Sequence, residues 1–195
     1  MKLLGVVNEM IIHDLNSYIP EEGQRYFFDC NVLMYLFYSN GSYACDLIAD
    51  YSAFLSRIIN QKAEIIITDV LVSEFINTYI QTEFHRLAKI NHWPSNKRYF
   101  KSVFKLSDEY SDILNEIRLI LERQLFPISK KENVDFEHIS LVNIFDTPAT
   151  FDFNDRYYDL SMKDKDTFIV TNDADFSDVC ACAVITRNTS LLSKG

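Results

Sequence analysis

The sequence predicts an α/β protein, a three-layer α/β/α sandwich around a mostly parallel sheet of about five strands, with an inserted helical hairpin. Short runs rich in Ile, Val and Phe, typical of strands buried on both faces, alternate with segments whose apolar residues recur at helical spacing. The 195 residues, 48% of them hydrophobic, suffice for one domain with a sizeable core. We therefore expect residues 1–195 to form a single domain.

Five short apolar runs are the strand candidates, and most of them end in Asp or Thr. In chain order they are residues 25–29 (RYFFD), 64–68 (EIIIT), 141–145 (LVNIF), 167–171 (TFIVT) and 183–186 (AVIT), the third being the weakest pattern. Residues 1–24, which precede the first candidate, are predicted to be an N-terminal extension. Its short apolar stretch is interrupted by Asn8 and Glu9, so it does not resemble a signal peptide.

Helical segments lie between these runs. They are predicted at residues 31–38, 44–60, from 69 or 70 to about 91, 97–125, 154–163 and 175–179. Ser107, followed by Asp108 and Glu109, is typical of an N-cap and predicts a break in the long fourth segment. Pro127 is expected to end that segment.

Composition excludes several classes of protein. The four glycines are too far apart for a phosphate-binding loop, so the common nucleotide folds are disfavoured. The four cysteines form no CxxC pair, which favours reduced, buried thiols over a zinc site. No apolar run approaches the roughly 18 residues of a membrane span. These features predict a cytoplasmic protein with no membrane partner.

The net charge of −9 is unevenly distributed. Residues 85–131 contain ten Lys and Arg against five Asp and Glu, which gives +5, and the remaining residues carry −14. We interpret residues 85–131 as a basic helical insert and expect a cation-demanding acidic site elsewhere. The alternative is two solvated faces that differ in charge without functional meaning.

Four acidic residues stand at or near predicted strand ends. Asp29 closes the first strand, Glu74 lies about one turn into the helix after the second, Asp155 begins the helix before the fourth, and Asp173 follows that strand. The carboxyl ends of parallel strands meet at one edge of a sheet, so these residues can reach one pocket. Crowded carboxylates favour a hard divalent cation, Mg²⁺ or Mn²⁺, and that ion supports phosphodiester hydrolysis.

Each of these acids also has a purely structural interpretation. Asp29 can cap the following helix, and Asp155 can be a helix N-terminal charge. Glu74 can be a surface glutamate, and Asp173 can be a turn residue.

The ordered set of motifs resembles the PIN-domain nucleases. FFDCNVLMYL resembles the first motif of that family, and IIITDVLVSEF the second. FNDRYYDLSMKDKDTFIVTNDADF resembles the third and fourth together, with Asp173 following 18 positions after Asp155. The resemblance covers about 60 residues, spread from Arg25 to Phe176.

This resemblance implies a metal-dependent ribonuclease. Its metal-binding and catalytic roles would fall on Asp29, Glu74, Asp155 and Asp173, while Asn31, Thr171 and Asp175 match positions that support the site, Asp175 as a further metal ligand. Many relatives of this size are VapC-like toxins, so the resemblance also implies an antitoxin partner and a homodimer. The 81-residue gap between Glu74 and Asp155 is long for such toxins.

The basic insert is the candidate RNA-binding segment. Its cations Lys97, Arg98, Lys101 and Lys105 are interleaved with the aromatic residues Tyr99, Phe100 and Phe104. Such cations and aromatic rings can bind phosphates and unpaired bases. The alternative is that the aromatic residues belong to the core and the cations to a solvated face.

Two rival functions stay open at this point. One is a non-catalytic module of the same fold that recognises RNA or protein. The other is a phosphatase-like hydrolase with Asp29 as nucleophile, which is disfavoured because Asn31 stands where that chemistry usually uses a second Asp.

Overall fold

A single sheet of six strands organises the protein. The computed structural model describes residues 11–134, 136–145, 152–177 and 181–194. The strands within these ranges are β1 (Ile12–Asp14), β2 (Arg25–Phe28), β3 (Glu64–Ile67), β4 (Lys130–Lys131), β5 (Thr167–Val170) and β6 (Val184–Thr186). Their order across the sheet is β1–β6–β5–β2–β3–β4, and every neighbouring pair is parallel. The predicted α/β class is confirmed.

Helices connect the strands. They are α1 (Cys30–Phe37), α2 (Cys45–Asn60), α3 (Asp69–Asn91), α4 (Lys97–Ser102), α5 (Asp108–Ile120), α6 (Leu141–Phe145), α7 (Phe153–Met162) and α8 (Thr189–Leu192). Capping side chains fix several of their starts. Thr68 accepts a hydrogen bond from Leu71 N at 3.2 Å, and Asp152 accepts one from Asn154 N at 2.8 Å. None of the helices in the described ranges is long and apolar enough to cross a membrane.

Side chains that alternate along β2 show the two covered faces of the sheet. Tyr26 and Phe28 both contact the ring of Phe54 on α2, with centroids 5.8 and 6.5 Å apart. Phe27 points to the opposite face and packs against Tyr158 of α7 at 4.8 Å. Since successive side chains of a strand point to opposite faces, α2 and α7 lie on different sides of the sheet. This arrangement is the predicted three-layer sandwich.

The structure corrects several predicted elements. Residues 141–145 form helix α6, so the third strand candidate is wrong: a five-residue apolar run fits either state, and Leu141, Val142 and Phe145 are exposed. Strands β1 and β4 were not predicted, because each is only two or three residues long and lies at an edge of the sheet. The extension over residues 1–24 therefore contributes an edge strand in its described part, residues 11–24.

The predicted helix over 97–125 is interrupted. It consists of α4, a 3₁₀ turn at Phe104–Leu106, α5 and a π-helical turn at Leu121–Leu125, followed by a 3₁₀ turn that contains Pro127. Ser107 is the predicted N-cap, with its hydroxyl 3.3 Å from Tyr110 N. The short helix predicted at 175–179 is a 3₁₀ turn over Ala174–Ser177, and residues 178–180 lie outside the described ranges.

Charged side chains join four strands at the amino edge of the sheet. Arg25 of β2 pairs with Glu132, just after β4, at 2.7 Å and with Glu64 of β3 at 3.5 Å. Lys165, ahead of β5, also binds Glu132, and Lys130 of β4 binds Glu64, each at 3.2 Å. This amino-edge network lies at the opposite end of the strands from Asp29, because Arg25 is the first residue of β2 and Asp29 follows its last.

A buried glutamate connects α3 to the segment after α1. Glu83 is 2% exposed and accepts hydrogen bonds from Tyr38 Oη at 2.7 Å and Asn40 Nδ2 at 3.1 Å. Arg86 binds both of its carboxylate oxygens, at 2.9 and 2.7 Å. Burial alone would raise the pKa of Glu83, but these hydrogen bonds outweigh burial and lower it. The carboxylate thus holds α3 against the end of α1.

Loss of this carboxylate should destabilise the fold. Glu83→Ala leaves the Tyr38 hydroxyl and the half-buried Arg86 without their acceptor, so we expect the free energy of unfolding to fall by about 2–3 kcal/mol. Urea unfolding at pH 7 measures the change. Glu122→Ala, which breaks the exposed pair with Arg118, is the control and should cost at most about 0.5 kcal/mol. Equal losses in the two variants would contradict the role of Glu83.

Candidate carboxylate site

The candidate site lies where the strand connections diverge. Strand β2 has β3 on one side and β5 on the other. From β2 the chain continues through α1 and α2 to β3, toward one edge of the sheet. From β5 it continues to β6, toward the other edge. Ligands of open α/β sheets bind outside the carboxyl ends of strands at such a switch point. Asp29 and Thr171 are the first residues after β2 and β5, so they face each other across it.

Asp29 is buried and held by three donors. It is 4% exposed, and its Oδ1 accepts a hydrogen bond from Cys30 N at 2.6 Å. Its Oδ2 accepts from Asn31 Nδ2 at 2.5 Å and from the Thr171 hydroxyl at 2.8 Å. Asp29 is also the N-cap of α1. The capping role and membership of the acidic group are therefore compatible.

Thr171 and Asn31 connect the two central strand ends. The Thr171 hydroxyl, besides donating to Asp29, accepts from Asn31 Nδ2 at 3.2 Å and from Asp173 N at 3.0 Å. Tyr51 of α2 fixes the same segment, because its hydroxyl donates to the Thr171 carbonyl at 2.8 Å. The turn that carries Asp173 is therefore anchored to the buried carboxylate of Asp29.

Glu74 faces the site from α3 and is held by two residues of α7. Its Oε2 accepts hydrogen bonds from Asn154 Nδ2 at 3.1 Å and from the Tyr158 hydroxyl. The Thr68 cap fixes the start of α3, and Glu74 lies in the second turn after it. Glu74 is half-buried and joins two helices, so the interpretation as an ordinary surface glutamate is wrong.

Burial and neighbouring charges raise the pKa values of Asp29, Glu74 and Asp155. Burial raises the pKa of Asp29 to about 7, and the charges of Glu74 and Asp173 add to the effect. The hydrogen bonds from Thr171 and Cys30 act in the opposite direction.

Asp155 is the most perturbed member of the group. Its pKa is raised to about 8, mainly by burial and then by repulsion from the charges of Asp29 and Asp173. The Asp155 carboxylate accepts no hydrogen bond from any residue that the structure describes. Burial also raises the pKa of Glu74, although the hydrogen bond from Tyr158 partly lowers it. Because the charges of Glu74 and Asp173 act on both Asp29 and Asp155, these four acids form one electrostatic group.

Asp175 stands apart from this group. Its side chain is exposed, and its backbone N–H donates to Asp173 Oδ1 at 3.0 Å. The structure thus gives Asp175 a role in holding the Asp173 carboxylate. Its assignment as a metal ligand stays a prediction.

The chemistry of the acidic group suits a hard divalent cation. Carboxylate oxygens are the ligands that Mg²⁺ and Mn²⁺ prefer, and a cation would relieve the repulsion among these acids. Within the described ranges, however, no three His, Cys, Asp or Glu side chains form a ready ligand group. The carboxylate oxygens thus fit Mg²⁺ or Mn²⁺ by their chemistry. To bind one shared ion, the side chains would have to turn toward it.

A cleft of about 550 Å³ adjoins Glu74. Its lining is mainly polar and comes from α3 and the first turn of α7: Asp69, Val70, Ser73, Glu74, Asn77, Thr78 and Asn154. A volume of this size can hold a small ligand or part of a polymer. The cleft gives Glu74 access to a substrate from solvent.

The predicted RNA-binding residues lie away from the carboxylates. Lys97, Arg98 and Lys101 are on α4, which packs near the far end of α3, and they contact none of the four acids. Phe104 is 1% exposed and packs on Phe84 at 4.9 Å. For this ring, the interpretation as core is confirmed.

Sequence reasoning missed the residues that hold the acids in place. Tyr158, Asn154 and Tyr51 are fixed only by the tertiary fold, since Tyr158 and Glu74 are 84 residues apart in the chain. Asn154 lies next to Asp155 in the third motif, and that proximity is the one signal that could have identified it.

Comparison with known proteins gives distant similarity to solved structures alone. No family model and no curated protein sequence matches the chain. A solved structure described as VapBC2 from Rickettsia felis bound to a DNA fragment from its promoter is similar with a TM-score of 0.49 and 10% identity. The match covers 84% of this chain and 98% of that chain. At this level of similarity, function must be argued from the site itself.

Neutralising Asp155 should stabilise the metal-free protein at high pH. Because the folded-state pKa lies above the ordinary 3.8, the folded chain keeps a proton that the unfolded chain loses between about pH 4 and pH 8. Wild-type stability therefore falls as pH rises through this window. We expect Asp155→Asn to remove that loss and to be more stable by about 1–3 kcal/mol at pH 8.5.

Thermal and urea unfolding in EDTA from pH 4.5 to 8.5 measures this difference. The exposed Asp112→Asn on α5 is the matched control and should track the wild-type protein. An Asp155→Asn variant that is equally or less stable at pH 8.5 would show that Asp155 is not repelled by its neighbours.

Proposed function

We propose that this chain hydrolyses RNA phosphodiester bonds with Mg²⁺ or Mn²⁺ bound among Asp29, Glu74, Asp155 and Asp173. The observation that carries the proposal is the convergence of these acids at the switch point, where burial and mutual repulsion raise the pKa values of Asp29 and Asp155. Their order and spacing along the chain match the PIN-domain motifs, which supports nuclease chemistry.

The bound ion would polarise the phosphate and lower the pKa of an attacking water. Asp29 is held in place by three donors, so it is suited to anchor the ion without moving. Tyr158 and Asn154 hold Glu74 at the edge of the cleft, where it can contribute an oxygen ligand.

Asp155 is the candidate general base. Its carboxylate has no hydrogen-bond donor among the described residues, so it would contact the ion through the attacking water, and the cation would lower the raised pKa that burial and repulsion give it in the metal-free protein. A carboxylate with these properties can accept a proton at Oδ from a water aligned with the scissile phosphate. In this proposal Asp173 helps to hold the ion, and the Thr171 hydroxyl and Asn31 fix the positions of Asp29 and Asp173.

The toxin role, the antitoxin partner and the homodimer rest on the motif resemblance alone. We retain them as predictions of that resemblance. The choice of RNA over another phosphodiester as substrate rests on the same motifs. Lys97, Arg98 and Lys101 of α4, which pair with no carboxylate in the described part of the chain, also support it.

A non-catalytic binding module of the same fold is the second candidate. The observation that favours it is that no three metal-ligating side chains form a ready ligand group in the described part of the chain. A module would bind RNA without metal-dependent cleavage.

Loss of Asp29 should abolish cleavage. Purified Asp29→Asn, assayed with Mn²⁺ on an unstructured RNA of about 12 nucleotides, is expected to be slower than wild type by about 10²–10⁴-fold. Asp112→Asn carries the same change of charge on an exposed surface and should keep full activity. Calorimetric titration with Mn²⁺ should show binding to wild type and weaker binding to Asp29→Asn.

Two results would separate the candidates. Wild type without Mn²⁺ binding and without cleavage would refute the nuclease and favour the module. Asp29→Asn with undiminished cleavage would remove Asp29 from the mechanism.

A further inference from the structure

One face of α3 carries two clefts in succession. The first is the polar cleft around Glu74, which reaches Asn77 and Thr78 on this helix. The second, of about 370 Å³, begins one turn later and is lined by Gln81, Phe84, His85, Ser95, Asn96, Lys97, Phe100 and Lys101. At 3.6 residues per turn, all α3 residues that line the two clefts fall within one half of the helix circumference, an arc of about 180°. We call this arc the α3 stripe.

The two clefts are of opposite character. The first adjoins the acidic group, whereas the second contains Lys97 and Lys101, one turn apart on α4, and no acidic side chain. Neither lysine has an acidic partner among the described residues. Several other basic groups are neutralised by carboxylates, as Arg86 is by Glu83 and Arg187 is by Asp46 and Asp50. An unpaired pair of cations in a chain of net charge −9 is suited to an anionic ligand.

The remaining lining of the second cleft suits a nucleotide. Gln81 and His85 add polar groups, and the ring Nδ1 of His85 hydrogen-bonds Ser95 Oγ at 2.8 Å. Phe100 is half-buried and lines the cleft with part of its ring. A concave site of this size can hold an unpaired nucleotide.

We propose that the α3 stripe is a track for single-stranded RNA, on which Lys97 and Lys101 bind a backbone phosphate away from the scissile bond. Gln81 and His85 lie seven and eleven residues beyond Glu74, or about 10–16 Å along the helix axis at 1.5 Å per residue. At the duplex rise of about 3.4 Å per nucleotide, this corresponds to roughly three to five nucleotides of a stacked strand, and to fewer of an extended one. The identity of the ligand as the substrate rests on the proposed function.

Two consequences follow for the substrate. An RNA too short to reach the second cleft should be cleaved without any contribution from Lys97 and Lys101. A longer RNA should gain affinity from both lysines, and this gain should be sensitive to salt. Arg98 does not line the cleft, so its contribution should be smaller than theirs.

The salt dependence of binding tests the track without cleavage. Wild type in EDTA is titrated into a fluorescent, unstructured 12-nucleotide RNA at 50–300 mM salt, with anisotropy as the readout. Each phosphate contact on a single strand contributes about 0.7 to the slope of log K against log salt. The double variant Lys97→Ala/Lys101→Ala is expected to bind more weakly, with a slope smaller in magnitude by about 1.4.

A matched control removes the same charge elsewhere. Lys62→Asn/Lys163→Ala alters two exposed lysines at the amino edge of the sheet, and Asn tolerates the left-handed backbone of Lys62. This variant should keep the wild-type slope. Equal slopes for wild type and the Lys97/Lys101 variant, or an equal decrease in the control, would overturn the track. Binding of duplex RNA or of poly-glutamate as tight as that of the single strand would overturn it as well.

Cleavage with Mn²⁺ separates this inference from the proposed function. The Lys97/Lys101 variant should raise the KM for the 12-nucleotide RNA and leave cleavage of a dinucleotide unchanged. Cleavage by wild type combined with equal salt slopes would refute the track and leave the nuclease standing. A decreased slope in a protein that never cleaves RNA would refute the nuclease and leave the track as an RNA-binding surface.

Discussion

The arrangement of the carboxyl edge depends on one buried carboxylate. Asp29 lies at the end of the central strand with almost no access to water, and such a group is tolerated only where donors replace its hydration. Its donors come from the start of α1 and from the end of β5. The same contacts fix the direction in which the chain leaves both central strands. A carboxylate that is costly to bury thus defines the geometry of the edge.

The other acids are held by more distant parts of the fold. Glu74 depends on Tyr158, whose ring is itself fixed by packing on Phe27 of the central strand. The hydrogen bond from Tyr158 therefore fixes the Glu74 side chain relative to the sheet. Asp155, which has no such donor, is left as the member of the group with the greatest freedom to exchange a proton or a ligand.

Much of the central fold can be predicted from the sequence, because its signals lie within short stretches of the chain. β2, β3 and β5 are buried on both faces, so their apolar runs are continuous, and the acids or threonines that follow them are adjacent in the chain. Edge strands such as β4, with two exposed lysines, have no such pattern because only backbone pairing defines them. The opposite error is a strand predicted where none forms. Leu141–Phe145 has the apolar composition of a strand but forms a short, mostly exposed helix. Contacts such as Tyr158 with Glu74 depend on packing between distant segments and leave no local signal.

The amino-edge network has a consequence for how this protein can change over time. Arg25, Glu64, Lys130, Glu132 and Lys165 link β2, β3, β4 and the start of β5 without using any side chain of the carboxyl edge. Cohesion of the sheet and chemistry at its opposite end are thus assigned to separate sets of residues. Mutational drift at one end leaves the other intact, so a lineage with this scaffold can acquire a new substrate preference, or lose activity altogether, and still inherit the same architecture.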